Sequence, residues 1–94
     1  MSIRSIKHKG LQTLFEKNKK KGVSPELTEK LQRVLSLLDV IKTPQDLDGI
    51  LGLHCHRLVG NKKGFYSILI SKNKRIIFRM HKEDVYDVDF TDYH

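Results

Sequence analysis

The sequence is poor in residues that crosslink or interrupt a small domain. It contains one cysteine, Cys55, so no internal disulfide can form, which is typical of a protein from a reducing compartment. With two prolines and 38% apolar residues, the composition indicates a globular chain. No apolar run approaches the ~18 residues that span a membrane, and the first residues lack the apolar segment of a secretory signal. We therefore expect a cytoplasmic protein without a membrane partner.

Acidic residues are also scarce, and their scarcity is local. Lys and Arg number 18 against 11 Asp and Glu, a net charge of +7, and residues 57–82 contain no acidic side chain. Such a basic segment is typical of a surface that binds nucleic-acid phosphates. The alternative is a solvated face whose charges pair with the acidic residues of the last twelve positions. The length predicts one domain, residues 1–94, with a single modest core.

The hydrophobic pattern of the first half predicts two helices. Residues 8–20 form an amphipathic helix that ends at Gly22. Ser24 as N-cap and Pro25 as the first helical residue begin the second helix. The apolar positions of the two helices are Leu11, Leu14 and Phe15, then Leu27, Leu31, Val34, Leu35, Leu38 and Ile41. A further turn is predicted over residues 43–47.

The period of the second half is two, which predicts strands. They cover residues 54–58, 65–70, 75–80 and 85–90, and residues 3–6 predict a short edge strand. The residues expected to face the core are Tyr66, Ile68 and Ile70, then Ile76, Phe78 and Met80, then Tyr86, Val88 and Phe90. Short polar connections make an antiparallel meander of the last three strands. The fold class is therefore α+β, in the order β-α-α-β-β-β-β, with both helices on one face of a mainly antiparallel sheet.

Motifs for phosphate loops, nucleophile elbows and metal clusters are absent from the sequence. His54-Cys55-His56 is the nearest approach to a metal site. In a strand, Cys55 would face away from the two histidines, which leaves fewer ligands than a metal site needs. We therefore expect no metal and no cofactor, and Cys55 as a small core residue.

The residues left for chemistry are ones that move protons or hold phosphate. His54 and His56 share a strand face, and the chain ends in Asp92-Tyr93-His94. Cleavage of RNA without metal needs a base, an acid and a cation at the phosphate. Histidine can act as base or acid near neutral pH, and Arg75 can hold phosphate oxygens with a fixed charge.

The same residues also have purely structural interpretations. A strand histidine is commonly a surface or core residue, and a terminal Asp-Tyr-His can be a frayed tail. Arg75 and Arg79 share one strand face, as do Asp87 and Asp89 on the next strand. Cross-strand ion pairs could therefore account for both arginines.

Several segments together resemble the HigB/GraT-type toxins of the RelE/ParE superfamily of bacterial toxin–antitoxin systems. These segments are residues 6–11 and 14–16, His56-x-Leu58-x-Gly60, residues 64–68, Asn73-Lys74-Arg75-Ile76-Ile77-Phe78 and Asp92-Tyr93-His94. The resemblance implies a RelE-like fold and a ribosome-dependent mRNA endonuclease that cuts the codon exposed in the ribosomal A site. It also implies a helix-turn-helix antitoxin, similar to HigA, as a partner.

The resemblance further implies roles for particular residues. His56 and His94 would transfer protons, Tyr93 would contact the substrate, Asp92 would orient a neighbour, and Arg75 would hold transition-state charge. Contacts to ribosomal RNA are expected from Lys7, Lys9, Lys19, Lys20, Arg57, Lys62, Lys63 and Lys74. Val59 stands where close relatives have lysine. The alternatives are a toxin without nuclease activity, such as a ParE-like gyrase inhibitor, and an inactive relative that only binds its antitoxin.

Overall fold

The described part of the chain folds as an α+β arrangement in which two helices precede a four-stranded sheet. A computed structural model describes residues 2–43, 46, 55–57 and 64–92, and for residues 55–57 and 92 it describes the backbone. The elements are α1 (Lys9–Lys17), α2 (Thr28–Val40), β1 (Cys55–Arg57), β2 (Phe65–Ser71), β3 (Lys74–His81) and β4 (Asp84–Asp92). The described strands lie in the order β1-β2-β3-β4, and each pair of neighbours is antiparallel. The predicted fold class and the meander are confirmed.

The N-terminal segment lies along the outer edge of β4, where an edge strand was predicted. Ile3 pairs with Val85 and Ile6 with Val88, both in parallel. Backbone hydrogen bonds run in both directions between the N-terminal segment and β4, from the Val85 amide to the Ser2 carbonyl and from the Arg4 amide to the Val85 carbonyl. The segment pairs through two isolated bridges instead of a continuous strand, and it covers an edge that would otherwise be open for pairing.

Helix α1 begins near the predicted residue but ends earlier. The His8 side chain caps the helix by accepting a hydrogen bond from the Leu11 amide. The helix ends where Asn18 adopts a left-handed conformation, φ 56°, so the prediction of Gly22 as the end is wrong. Gly22 instead packs backbone to backbone against Gly10, and a Cβ on Gly10 would overlap the Gly22 carbonyl.

Helix α2 begins later than its sequence signal. Ser24 does not act as N-cap: its carbonyl accepts bonds from the Leu27 amide and the Thr28 hydroxyl, which closes a turn before the helix. Regular helical bonding starts at Thr28, with Leu27 in the cap position. The prediction of Ser24 as N-cap is therefore wrong. The further turn predicted over residues 43–47 lies largely outside the described residues. Both ends of the strand predicted over residues 54–58 also lie outside them.

The hydrophobic core lies between the helices and one face of the sheet. Its fully or nearly fully buried members are Leu11, Leu14, Leu31, Val34, Leu35, Leu38, Ile41, Ile68, Ile70, Ile76, Phe78, Val85 and Val88. Met80, Tyr66 and Phe90 pack against this cluster while partly exposed, and Tyr66 stacks on Phe78. The helical and alternating patterns therefore identified the core correctly at nearly every position.

A β-bulge in β4 causes the one departure from the predicted core pattern of the described strands. The register shifts between Ile77 and Arg79, and Asp87 has a positive φ of 55°. The extra residue reverses the alternation, so Val85 and Val88 are both buried while Tyr86 pairs with Arg79. The prediction that Tyr86 shares the core face with Val88 is therefore wrong.

The bulge is stabilised by an ion pair that makes stability depend on pH. Arg79 Nε donates to Asp87 Oδ2 at 2.6 Å, and this bond holds the pKa of Asp87 below its ordinary value of 3.8. A depressed carboxylate pKa contributes stability above the unfolded value, and that stability is lost as the pH falls through the folded pKa.

We expect D87N to lower the free energy of unfolding at pH 7, and the difference from wild type to shrink as the pH falls below about 4. Chemical unfolding across this pH range measures it. In an R79Q background, the effect of D87N should depend much less on pH. A difference that is the same at pH 7 and pH 2.5 would contradict this account of the bulge.

Candidate active site

The sheet face opposite the helices carries polar and charged side chains. Because side chains alternate along a strand, burial of Ile68 and Ile76 under the helices directs Ser67 and Arg75 to the other face. Ser67 and Ile77 are also buried, although both lie outside the helix-covered core. This second face, which we call the polar face, carries Arg75, one of the residues that the sequence predicts for the site.

Arg75 lies on the polar face near the start of β3, which is an interior strand of the sheet. It pairs with Leu69 on β2 and with Thr91 on β4, so strands flank it on both sides. Its side chain is half-buried, and Nη1 lies 3.4 Å from Ser67 Oγ, a long hydrogen bond to a neighbouring strand. The guanidinium is therefore held against the sheet.

Strand pairing determines where the backbones of two other candidate residues, His56 and Asp92, lie relative to Arg75. His56 on β1 pairs with Ser67 on β2, the strand next to β3. Asp92 pairs with Lys74, next to Arg75, so the C-terminal end of β4 runs towards the same region. Some residues that the sequence singles out lie outside the described residues. They are His54, Val59, Lys62, Lys63, Tyr93 and His94.

Arg79 has a structural role. Its guanidinium pairs with Asp87 and stacks on the Tyr86 ring, 4.9 Å from the ring centre. Asp87 also accepts a hydrogen bond from the Ser5 hydroxyl, which ties in the N-terminal segment. Cross-strand ion pairing therefore accounts for Arg79, as the structural interpretation predicted.

A second ion pair joins Arg4 of the N-terminal segment to Asp84 at the start of β4. Arg4 Nε donates to Asp84 Oδ2 at 3.0 Å, and this bond lowers the pKa of Asp84. Asp89 accepts a hydrogen bond from the Phe90 amide. The acidic residues thus stabilise the edge formed by β4 and the N-terminal segment.

Three of the predicted RNA-contacting lysines, Lys9, Lys19 and Lys20, lie in α1 or shortly after its end. Lys7, Lys9, Lys19 and Lys20 are exposed, and Lys74 on β3 is half-buried. A groove of about 250 Å³ is lined by Lys9, Lys19 and Lys21 around the contact between Gly10 and Gly22. This lysine groove presents positive charge on the helical side of the sheet. Arg57 lies on β1, and only its backbone is described.

The sequence reasoning missed Ser67 and Thr91, two hydroxyl residues beside Arg75. Ser67 is fully buried, and Thr91 Oγ1 is buried without a hydrogen-bond partner among the described residues. The available signal was a serine at an alternating position within an otherwise apolar strand, where valine, isoleucine or threonine is usual.

Neither helix of the described part is long and apolar enough to cross a membrane.

Comparison with known proteins agrees with this architecture. Residues 4–94 match the family described as the RelE-like toxin HigB of type II toxin–antitoxin systems. The chain is 34% identical over 92 residues to a Proteus vulgaris protein named Endoribonuclease HigB, covering 98% of this chain and 99% of that one. The chain therefore belongs to the HigB-like family of RelE-like toxins of type II toxin–antitoxin systems, and this membership implies an antitoxin partner.

Proposed function

We propose that the chain is a metal-independent endoribonuclease that cuts mRNA in the ribosomal A site and so inhibits translation. The observation that carries the proposal is the position of Arg75 on the polar face, two strands from His56 and next to the C-terminal end of β4. The name of the Proteus vulgaris relative, Endoribonuclease HigB, supports the same activity.

The chemistry assigns one task to each group. One imidazole, of His56 or His94, takes the proton from the ribose 2′-hydroxyl, whose oxygen attacks the adjacent phosphorus. Arg75 stabilises the negative charge that builds up on the phosphate oxygens. The other imidazole protonates the 5′-oxygen as the P–O5′ bond breaks, leaving a 2′,3′-cyclic phosphate. Asp92 orients a neighbouring group, and Tyr93 contacts the substrate.

Binding to the ribosome uses charge that does not read sequence. Ribosomal RNA is a dense array of phosphates, and lysine contacts to phosphate add affinity without base specificity. The exposed lysines on the helical side can hold ribosomal RNA while the polar face meets the message. The proposed location is the cytoplasm, where translated mRNA lies, and the proposed antitoxin is a HigA-like helix-turn-helix protein.

The direct test is expression of the protein in bacteria with mapping of 5′ ends on translated messages. We expect growth arrest accompanied by cuts within codons, which disappear when initiation on that message is blocked. Arrest with intact message would overturn the proposal and favour a target such as gyrase. Absence of arrest would identify an inactive relative.

Replacement of Arg75 should slow cleavage without unfolding the domain. We expect R75A to lose about 10²–10³-fold in the cleavage rate on programmed ribosomes, because it removes one donor of transition-state charge stabilisation. R75K should retain part of the rate. R33A, which removes an exposed arginine from α2, is the matched control and should cleave at the wild-type rate. Wild-type cleavage by R75A would contradict the role of Arg75.

Replacement of either proposed proton-transfer residue should abolish toxicity. We expect H56A and H94A to lose about 10²–10⁴-fold in cleavage rate, and each to lose one limb of the pH–rate profile. H81A removes an exposed histidine at the β3–β4 turn and serves as control. If both variants remained toxic while folded, the site assignment would be wrong even within the right family.

Replacement of lysines beside α1 should weaken ribosome binding in a salt-dependent way. We expect K19A/K20A to bind ribosomes more weakly. The negative slope of log affinity against log salt should become shallower by about 2, which is about one unit for each lost phosphate contact. R33A/K42A removes the same amount of charge from α2 and its C-terminal end. An equal change in slope for both double variants would show that net charge alone matters.

A further inference from the structure

Ser67 is a buried polar residue at the centre of the polar face. Among the described residues, the buried polar side chains are Thr28, with 4% exposed, and Ser67, with 0%. The Thr28 hydroxyl bonds a carbonyl of its own turn. Ser67 instead has a partner on another strand, since its Oγ accepts from Arg75 Nη1. A buried hydroxyl is costly unless it is hydrogen-bonded, so the bond to Arg75 explains how serine is tolerated there.

The register makes Ser67 the neighbour of both strands that carry candidate groups. It pairs with His56 on β1 and with Ile77 on β3, and Arg75 is its diagonal neighbour on β3. Diagonal neighbours in an antiparallel sheet are within reach of a long side chain. Because Ser67 is packed within the sheet, its hydroxyl is a rigid point of attachment for the longer and more flexible arginine.

The two arginines of β3 show what a hydroxyl partner offers. Arg79 is paired with a carboxylate at 2.6 Å, which supplies a negative charge to the guanidinium. Ser67 contributes an oxygen without a charge. A guanidinium carries its donors in one rigid plane, so a bond from one of them orients the whole group. Ser67 can therefore fix the orientation of Arg75 without itself adding a negative charge beside it.

We propose that Ser67 is a positioning residue of the endonuclease, whose buried hydroxyl holds the Arg75 guanidinium in its orientation towards the scissile phosphate. The inference rests on the proposed function, and it assigns to Ser67 no contact with the substrate. It acts through Arg75, so its effect depends on the presence of that side chain.

The experiment is a double-mutant cycle in single-turnover cleavage on programmed ribosomes, with ribosome affinity measured separately. S67A should cleave about 10-fold more slowly at unchanged affinity, which corresponds to about 1.4 kcal/mol of transition-state stabilisation. S67C keeps the shape of the side chain with a somewhat larger terminal atom, but sulfur is a weak acceptor, so S67C should be slowed as S67A is. S67A/R75A should cleave as R75A does, because the hydroxyl then has no guanidinium to orient.

The matched control is S71A, which removes the half-buried serine at the C-terminal end of β2 and should cleave at the wild-type rate. A wild-type rate for S67A or for S67C would overturn the proposal, and so would an equal loss from S67A with and without Arg75. Failure of the wild-type protein to cut translated message would overturn the proposed function, whereas a full rate in S67A with an active wild type rejects the role of Ser67 alone.

Discussion

The two helices bury one face of the sheet, and the arrangement of the chemistry depends on this one-sided core. A chain of 94 residues has enough apolar side chains for one such layer, and the helices and the inward positions of β2, β3 and β4 fill it. Strand alternation then assigns the intervening residues to the opposite face. Arg75 and Ser67 lie there because Ile76 and Ile68, their neighbours in the chain, are committed to the core.

The charges of the molecule are divided between two uses. Asp84 and Asp87 pair with Arg4 and Arg79, which fastens the N-terminal segment and the bulge to the edge of the sheet. The lysines beside α1 are exposed and line a groove whose described lining contains no acidic side chain. One set of charges thus stabilises the fold, while the second can bind the phosphates of ribosomal RNA in the proposed function.

The sequence was sufficient for the core because burial imposes periodicity. Leu31, Val34, Leu35 and Leu38 recur at helical spacing, and Ile68, Ile70, Ile76 and Phe78 alternate, and all are buried. Features set by local backbone geometry were not predictable in this way. Asn18 ends α1 before Gly22, the Ser24 carbonyl closes a turn before α2, and the left-handed Asp87 reverses the alternation of β4. Each depends on a bond or dihedral angle that many sequences would allow.

The candidate site was predictable as residue types, whereas its supporting contacts required the sheet register. Arg75 could be recognised as a phosphate-binding cation, but pattern alone could not separate it from Arg79, since both share one strand face. The bulge at Asp87 brings a carboxylate to Arg79, while Arg75 lies against the hydroxyl of Ser67. The sequence signal for Ser67, a serine within an otherwise apolar strand, becomes informative only when its burial and its partner are known.

The most direct measurement of the central claim is the position of mRNA on the protein. The structure of the full chain on a ribosome, with a 2′-deoxy substitution at the cleavage site to keep the message intact, would show it. The account predicts that the scissile phosphate lies against the polar face, within about 4 Å of the Arg75 guanidinium. A message that contacts the helical side, with the scissile phosphate remote from Arg75, would contradict it.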